Sequence, residues 1–125
     1  MTENEIAYEV RRCIFKVYNT LGPGLLESAY ESTLLHEIRK SSFGVEKQVP
    51  LPVIYDDINI EIGYRLDLLV DKKVIVEIKS VEILLPIHHK QLITYLKLSG
   101  LKLGLLVNFN TTDIANNIIR KVNGI

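Results

Sequence analysis

Ile60-Glu61-Ile62-Gly63-Tyr64-Arg65-Leu66-Asp67-Leu68-Leu69-Val70-Asp71-Lys72-Lys73-Val74-Ile75-Val76-Glu77-Ile78-Lys79 is the stretch that decides how this chain folds. Its first half alternates, with apolar residues at the even positions and Glu61, Arg65 and Asp67 at odd ones, the period of two of a strand with distinct faces. Asp71-Lys72-Lys73 reads as a polar turn, after which Val74, Val76 and Ile78 alternate with Ile75, Glu77 and Lys79. The pattern predicts a β-hairpin with Asp67 turned away from the main apolar stripe and with Glu77 and Lys79 on one face of the second strand. Cross-strand neighbours approach to about 5 Å at their Cβ atoms, so a register that sets Asp67 beside Glu77 lets two carboxylates share a cation, with an ammonium next to them.

Helices are predicted on either side of this hairpin. Thr2 and Glu5 have the spacing of a capping box, and Ile6, Val10, Cys13, Ile14 and Val17 continue a helical stripe to about Asn19. Leu21-Gly22-Pro23-Gly24 breaks it, and a second helix is expected from about Leu25 to Lys40, with Leu26, Leu34, Leu35 and Ile38 as core residues. Val45 to Tyr55 reads as one strand at a sheet edge, because Pro50 and Pro52 suit an edge better than a central ladder. Asp56-Asp57 then begins the turn into the Asp67 strand. Beyond Lys79, Pro86 opens a helix that Gly100 closes, and Leu103 to Phe109 is an apolar run typical of a buried strand. Ile114, Ile118 and Val122 recur with period four after capping candidates at Asn110 to Asp113, which predicts a final helix. The order α-α-β-β-β-α-β-α specifies an α/β chain of the mixed α+β kind, a mixed sheet flanked by helices.

Composition narrows the function. The chain has 125 residues, enough for a single domain (1–125) with one core and no covalent staples. One cysteine, Cys13, excludes an intrachain disulfide and a cysteine-cluster zinc site, and its helical setting reads as core. The start of the chain lacks a basic and apolar leader, and no stretch reaches the roughly 18 apolar residues of a membrane span, so a cytoplasmic location and no membrane partner are expected. Lys and Arg number 15 against 15 Asp and Glu. That balance disfavours tight passive binding of nucleic acid, and penalises an enzyme less, since bound divalent cations add positive charge where a phosphate sits.

Two further motifs sit on either side of the hairpin in a fixed order. Gly24-Leu25-Leu26-Glu27-Ser28-Ala29-Tyr30 has the form GxxExxY, and Gln91-Leu92-Ile93-Thr94-Tyr95 the form QxxxY. With Asp67 and Glu77-Ile78-Lys79 they make the chain resemble the prokaryotic GxxExxY proteins of the PD-(D/E)XK nuclease superfamily, with the QxxxY motif of its RecB-like branches. The resemblance covers nearly the whole chain and implies a restriction-endonuclease-like core with a mixed four-stranded sheet. It further implies a metal-dependent nuclease that hydrolyses phosphodiester bonds in DNA, or less readily RNA, by metal-activated water. Asp67 and Glu77 would ligate Mg²⁺ or Mn²⁺ with the backbone carbonyl of Ile78, and Glu27 would be the helical carboxylate that completes the shell. Lys79 would orient the attacking water or stabilise charge on the phosphorane, while Gln91 and Tyr95, four apart on a helix, would orient Lys79 or touch the substrate. Leu66 stands where the superfamily's name has proline.

Simpler readings accompany these. Glu77 and Lys79 fit a solvated strand face with Asp67 as salt-bridge partner, and Glu27 fits a helix-dipole role. Tyr30 reads as a core aromatic as well as a candidate substrate contact; His88, one turn before Gln91, as a helix cap or a residue of the pocket rim; Arg65 as a phosphate contact or the partner of Glu61. The principal alternative to a nuclease is a catalytically inactive PD-(D/E)XK domain serving as a nucleic-acid-binding or protein-assembly module. A third is an interaction domain that works through Leu84-Leu85-Pro86-Ile87. A homodimer is compatible with a domain of this size, though no residue pattern specifies one.

Overall fold

The computed structural model describes residues 1–124. Ile125 lies outside the described residues. Two helices open the chain, α1 (Glu3–Leu21) and α2 (Glu27–Arg39). Strands β1 (Val45–Pro50), β2 (Val53–Tyr55), β3 (Ile58–Ile60), β4 (Arg65–Val70) and β5 (Val74–Lys79) follow, then α3 (Pro86–Ser99), β6 (Leu103–Asn108), a 3₁₀ turn (Ile114–Asn117) and β7 (Ile118–Val122). Five strands form a mixed sheet in the order β1-β4-β5-β6-β7, in which only β5 and β6 run parallel.

The hairpin sits near the middle of that sheet and divides the core into two layers. Val74, Val76 and Ile78 point to one face, where they pack with Ile6, Ile14, Leu34 and Ile38 of α1 and α2. Ile75 points to the other, against Leu92, Tyr95 and Leu96 of α3. The alternation read from the sequence is therefore real in β5, which is buried on both sides. Helix α1 begins with the expected capping box, as Glu5 N–H donates to Thr2 Oγ1 at 3.2 Å and Thr2 N–H to Glu5 Oε1 at 3.3 Å. Gly100, left-handed at φ 72°, closes α3.

Three expectations are corrected. The final helix is a 3₁₀ turn and a strand, so the sheet has five strands and not four. A spacing of four is also a multiple of two, and places Ile118 and Val122 on one strand face as readily as on one helix face. β-Branched residues and the uncovered edge of β6 decide the outcome, for β7 pairs antiparallel along β6 from Leu103↔Val122 to Val107↔Ile118. Secondly, the single strand from Val45 to Tyr55 breaks at Leu51-Pro52 into β1 and β2. Asp56 and Asp57, at φ 50° and 62°, make a two-residue turn that pairs β2 with β3 as a separate hairpin. Leu26, thirdly, precedes α2 and is 77% exposed, outside the core.

Candidate active site

Antiparallel pairing of β4 and β5 runs from Val70↔Val74 to Leu68↔Val76, which makes Asp67 and Glu77 the next opposed pair. There the ladder gives way to side chains. Asp67 N–H donates to Glu77 Oε2 at 2.8 Å, and Ile78 N–H donates to Asp67 Oδ2 at 2.8 Å. Each carboxylate thus accepts a backbone N–H of the opposite strand, which fixes both side chains between the strands and side by side. Leu66 packs in the α3 layer while Leu68 packs in the α1/α2 layer, so the strict alternation of β4 is interrupted at Asp67.

Burial makes this pair hold protons. Glu77 is 4% exposed, and its pKa is pushed up to about 8, first by desolvation and then by the charge of Asp67; the Asp67 N–H and the Lys79 ammonium oppose the rise. Asp67 is raised as well, by burial, against the opposing pull of Ile78 N–H, Lys79 and the Gln48 amide. Two adjacent carboxylates that resist ionisation together share a proton, and a cation is the other species that relieves their repulsion. The donors on offer, carboxylate oxygens with the nearby Ile78 carbonyl, fit a hard divalent ion such as Mg²⁺ or Mn²⁺. Among the described residues, no three His, Cys, Asp or Glu side chains converge closely enough to hold a metal by themselves.

Lys79 lies on the same face as Glu77, as the alternation predicts. Its Nζ donates to Gln91 Oε1 at 3.4 Å, and Gln91 Nε2 donates to Tyr95 Oη at 3.1 Å, a relay from β5 to two residues one turn apart on α3. The Tyr95 phenol is raised by burial and by the charge of Glu77. Tyr64 leans on the Tyr95 ring, centroids 6.0 Å apart and planes at 54°. A groove of about 250 Å³ between Tyr64, Gln91 and Tyr95 adjoins this relay. A larger hollow, about 690 Å³ between Met1, Tyr8 and Phe43, includes none of these residues, and its size carries no weight against the chemistry of the carboxylate pair.

Other sequence candidates lie elsewhere. Glu27 is exposed in the first turn of α2, and its charge bears on Glu31. Glu31, one turn further along the helix, does act on Glu77, and its own pKa is raised by burial and by the charge of Asp67. Spacing of four on α2 was the available signal for Glu31, because it places both glutamates on one face. Tyr30 is fully buried, stacked on Phe109 at 4.4 Å, and its hydroxyl donates to Gly22 O at 2.5 Å while accepting from Leu25 N–H at 3.2 Å. It ties the Gly22 to Leu25 loop to the core and is not available to a substrate. His88 Nδ1 accepts from Leu85 N–H at 3.0 Å, capping α3. Arg65 is exposed and donates through Nη1 to Gln48 O at 3.4 Å.

Buried Asn108 was missed inside an apolar run. Its Oδ1 accepts from Val81 N–H at 3.0 Å and its Nδ2 donates to Val81 O at 2.9 Å, which anchors the connector that leaves the site after Lys79.

A family model of the PD-(D/E)XK nuclease superfamily matches residues 4–121. The chain belongs to the PD-(D/E)XK nuclease superfamily. Neither the curated proteins nor the solved structures give a match. The mixed sheet with helices on both faces accords with the restriction-endonuclease-like fold of this superfamily, whose nucleases act on nucleic acid and generally use divalent metals. Asp67 and Glu77-Ile78-Lys79 match the D and (D/E)XK of the PD-(D/E)XK name. No helix among the described residues is long and apolar enough to cross a membrane.

Proposed function

We propose that this chain is a metal-dependent nuclease that hydrolyses phosphodiester bonds, with DNA as the expected substrate and RNA the alternative. One observation carries the reading: the reciprocal bonds that seat the Asp67 and Glu77 carboxylates side by side in a buried place, where burial and mutual repulsion drive Glu77 to about 8. A purely structural acid pair would be a costly way to hold two strands together, since each carboxylate replaces an ordinary ladder bond and is desolvated without a counter-ion bridge.

Asp67, Glu77 and the Ile78 carbonyl would hold Mg²⁺ or Mn²⁺. Bound there, the ion supplies Lewis-acid stabilisation of phosphate charge and a water of lowered pKa. Ile78 N–H and Asp67 N–H orient the two carboxylates before any substrate arrives. Lys79 presents its ammonium to the attacking water or to the negative charge gathering on the phosphate, and Gln91, braced by Tyr95, limits the directions that ammonium can take. The supporting test incubates the protein with single-stranded, duplex and branched DNA and with RNA, in Mg²⁺, Mn²⁺ or EDTA, beside Glu77→Ala and Lys79→Ala. Cleavage that needs metal and is lost in both variants supports the assignment; cleavage retained by both variants rejects it.

A second reading, an inactive assembly module, is favoured by the exposed Ile83, Leu85 and Ile87 before and at the start of α3. It predicts no cleavage of any of these substrates and self-association or partner binding that Ile87→Glu abolishes.

A further inference from the structure

Among the described residues, five that are not glycine adopt left-handed φ: Gln48, Asp56, Asp57, Asp71 and Lys72. Four of them occupy the hairpin turns between β2 and β3 and between β4 and β5, where mirror-image turns require that conformation. Gln48 has no such reason. It lies within β1 at φ 50°, with normal pairing on both sides, Lys47↔Leu68 and Val49↔Leu66, so the residue across from it is Asp67. Left-handed backbone at a non-glycine residue inside a strand is strained, and it persists only where the surroundings impose it.

The side chain shows what the strained backbone achieves. Gln48 Nε2 donates to both carboxylate oxygens of Glu31, at 3.1 and 3.0 Å, from the strand position across from Asp67. An extended φ at this residue would redirect its Cα–Cβ bond and withdraw the amide from α2. Arg65 holds the Gln48 carbonyl from the neighbouring strand. One amide therefore ties a helical glutamate to the edge-strand position across from the first acid of the candidate site. Among the described residues Glu27 makes no hydrogen bond of this kind, and Glu31 is the helical carboxylate tied to β1.

We propose that Gln48 is a positioning residue of the nuclease site: its left-handed backbone aims the amide at Glu31, holds that glutamate beside the strand position across from Asp67, and so sets the carboxylate pair's affinity for a divalent cation. The proposal rests on the nuclease reading and makes Glu31, not Glu27, the helical carboxylate that acts on the pair, from outside the ion's direct ligands. Glycine adopts φ 50° without strain, so Gln48→Gly removes the amide while leaving the backbone where it is. Asparagine also tolerates left-handed φ and restores an amide on a shorter arm.

Isothermal titration of the whole chain with MnCl₂, with thermal unfolding of each protein in EDTA, provides the test. The expected result is that Gln48→Gly melts at or above the wild-type temperature yet binds Mn²⁺ roughly tenfold more weakly, the scale of losing a residue that orients a ligand. Gln48→Asn recovers part of that affinity, Glu31→Gln weakens binding to a similar degree, and the double variant Glu31→Gln with Gln48→Gly is no weaker than either single one. Unchanged Mn²⁺ affinity in both single variants overturns the role of Gln48 and leaves the nuclease reading standing. A wild type that binds no Mn²⁺ overturns both. A Gln48→Gly protein that melts lower and loses Mn²⁺ binding only in proportion to its unfolded fraction shows Gln48 to be structural and overturns the proposal.

Discussion

Replacing Glu77 by Gln should stabilise the folded protein at pH 8 and leave it nearly unchanged at pH 4.5. In the folded state Glu77 binds its proton up to about 8, whereas the unfolded chain releases it near 4.5. Between those values the folded state holds a proton that the unfolded state has lost, so stability is full at acid pH and declines as pH rises through the window. The slope from one such group reaches about 1.4 kcal/mol per pH unit, and the whole difference of about 3.5 corresponds to at most about 5 kcal/mol, less because Asp67 shares the proton. Asp67 is shifted the same way and adds to the decline. Glutamine keeps an oxygen that can accept the Asp67 N–H now bonded to Glu77 Oε2, and has no charge to desolvate. The assay is urea denaturation in EDTA at pH 5, 6, 7 and 8 for both proteins. The variant should exceed the wild type by about 3 kcal/mol or more at pH 8, with the gap closing towards pH 5. Mg²⁺ at about a hundred times its Kd should recover about 2.7 kcal/mol in the wild type and none in the variant. Parallel pH profiles for the two proteins would refute the reasoning, because they would mean that Glu77 ionises in the folded state as it does in water.

Three other outcomes are expected. Lys79→Met should lower the cleavage rate constant by about a hundredfold or more while leaving the circular dichroism of the folded protein intact, since the ammonium acts on developing charge and its contact with Gln91 is long at 3.4 Å. Tyr30→Phe should keep the stack on Phe109, lose the bonds to Gly22 and Leu25 and cost about 1–2 kcal/mol in urea denaturation, with no change in substrate KM; a raised KM would return Tyr30 to the substrate. Gly104→Ala puts a methyl 2.8 Å from Leu92 Cδ1 beneath α3, and should lower thermal stability by about 1–3 kcal/mol, because Leu92 is itself buried and has little room to move.

What could be read from residues alone was whatever depends on periodicity. The β4–β5 hairpin, its polar turn and the shared face of Glu77 and Lys79 follow from alternation, and α1 and α3 from their caps, so the part of the sheet that carries the acid pair was legible. Periodicity fails where two structures share it: Ile114, Ile118 and Val122 fit helix and strand alike, and an uncovered β6 edge, invisible in the sequence, settles the matter. Glu31 was hidden because the motif drew the reading to Glu27, although the turn of α2 that approaches the sheet is the next one. Gln48 was beyond reach for a different reason. The sign of φ at a non-glycine residue is imposed by tertiary contacts, here with Glu31 and Arg65, and leaves no trace in composition. Tyr30 carried the right expectation of a buried aromatic alongside the wrong one of a substrate contact, and its two loop bonds exclude the latter.

The measurement that bears most directly on the carboxylate pair is an anomalous difference map from crystals of the protein grown with MnCl₂. The account predicts a peak within about 2.5 Å of carboxylate oxygens from both Asp67 and Glu77 and of the Ile78 carbonyl, absent from crystals of Glu77→Gln. A map without density between Asp67 and Glu77, or with manganese bound only at other acidic residues, would contradict it.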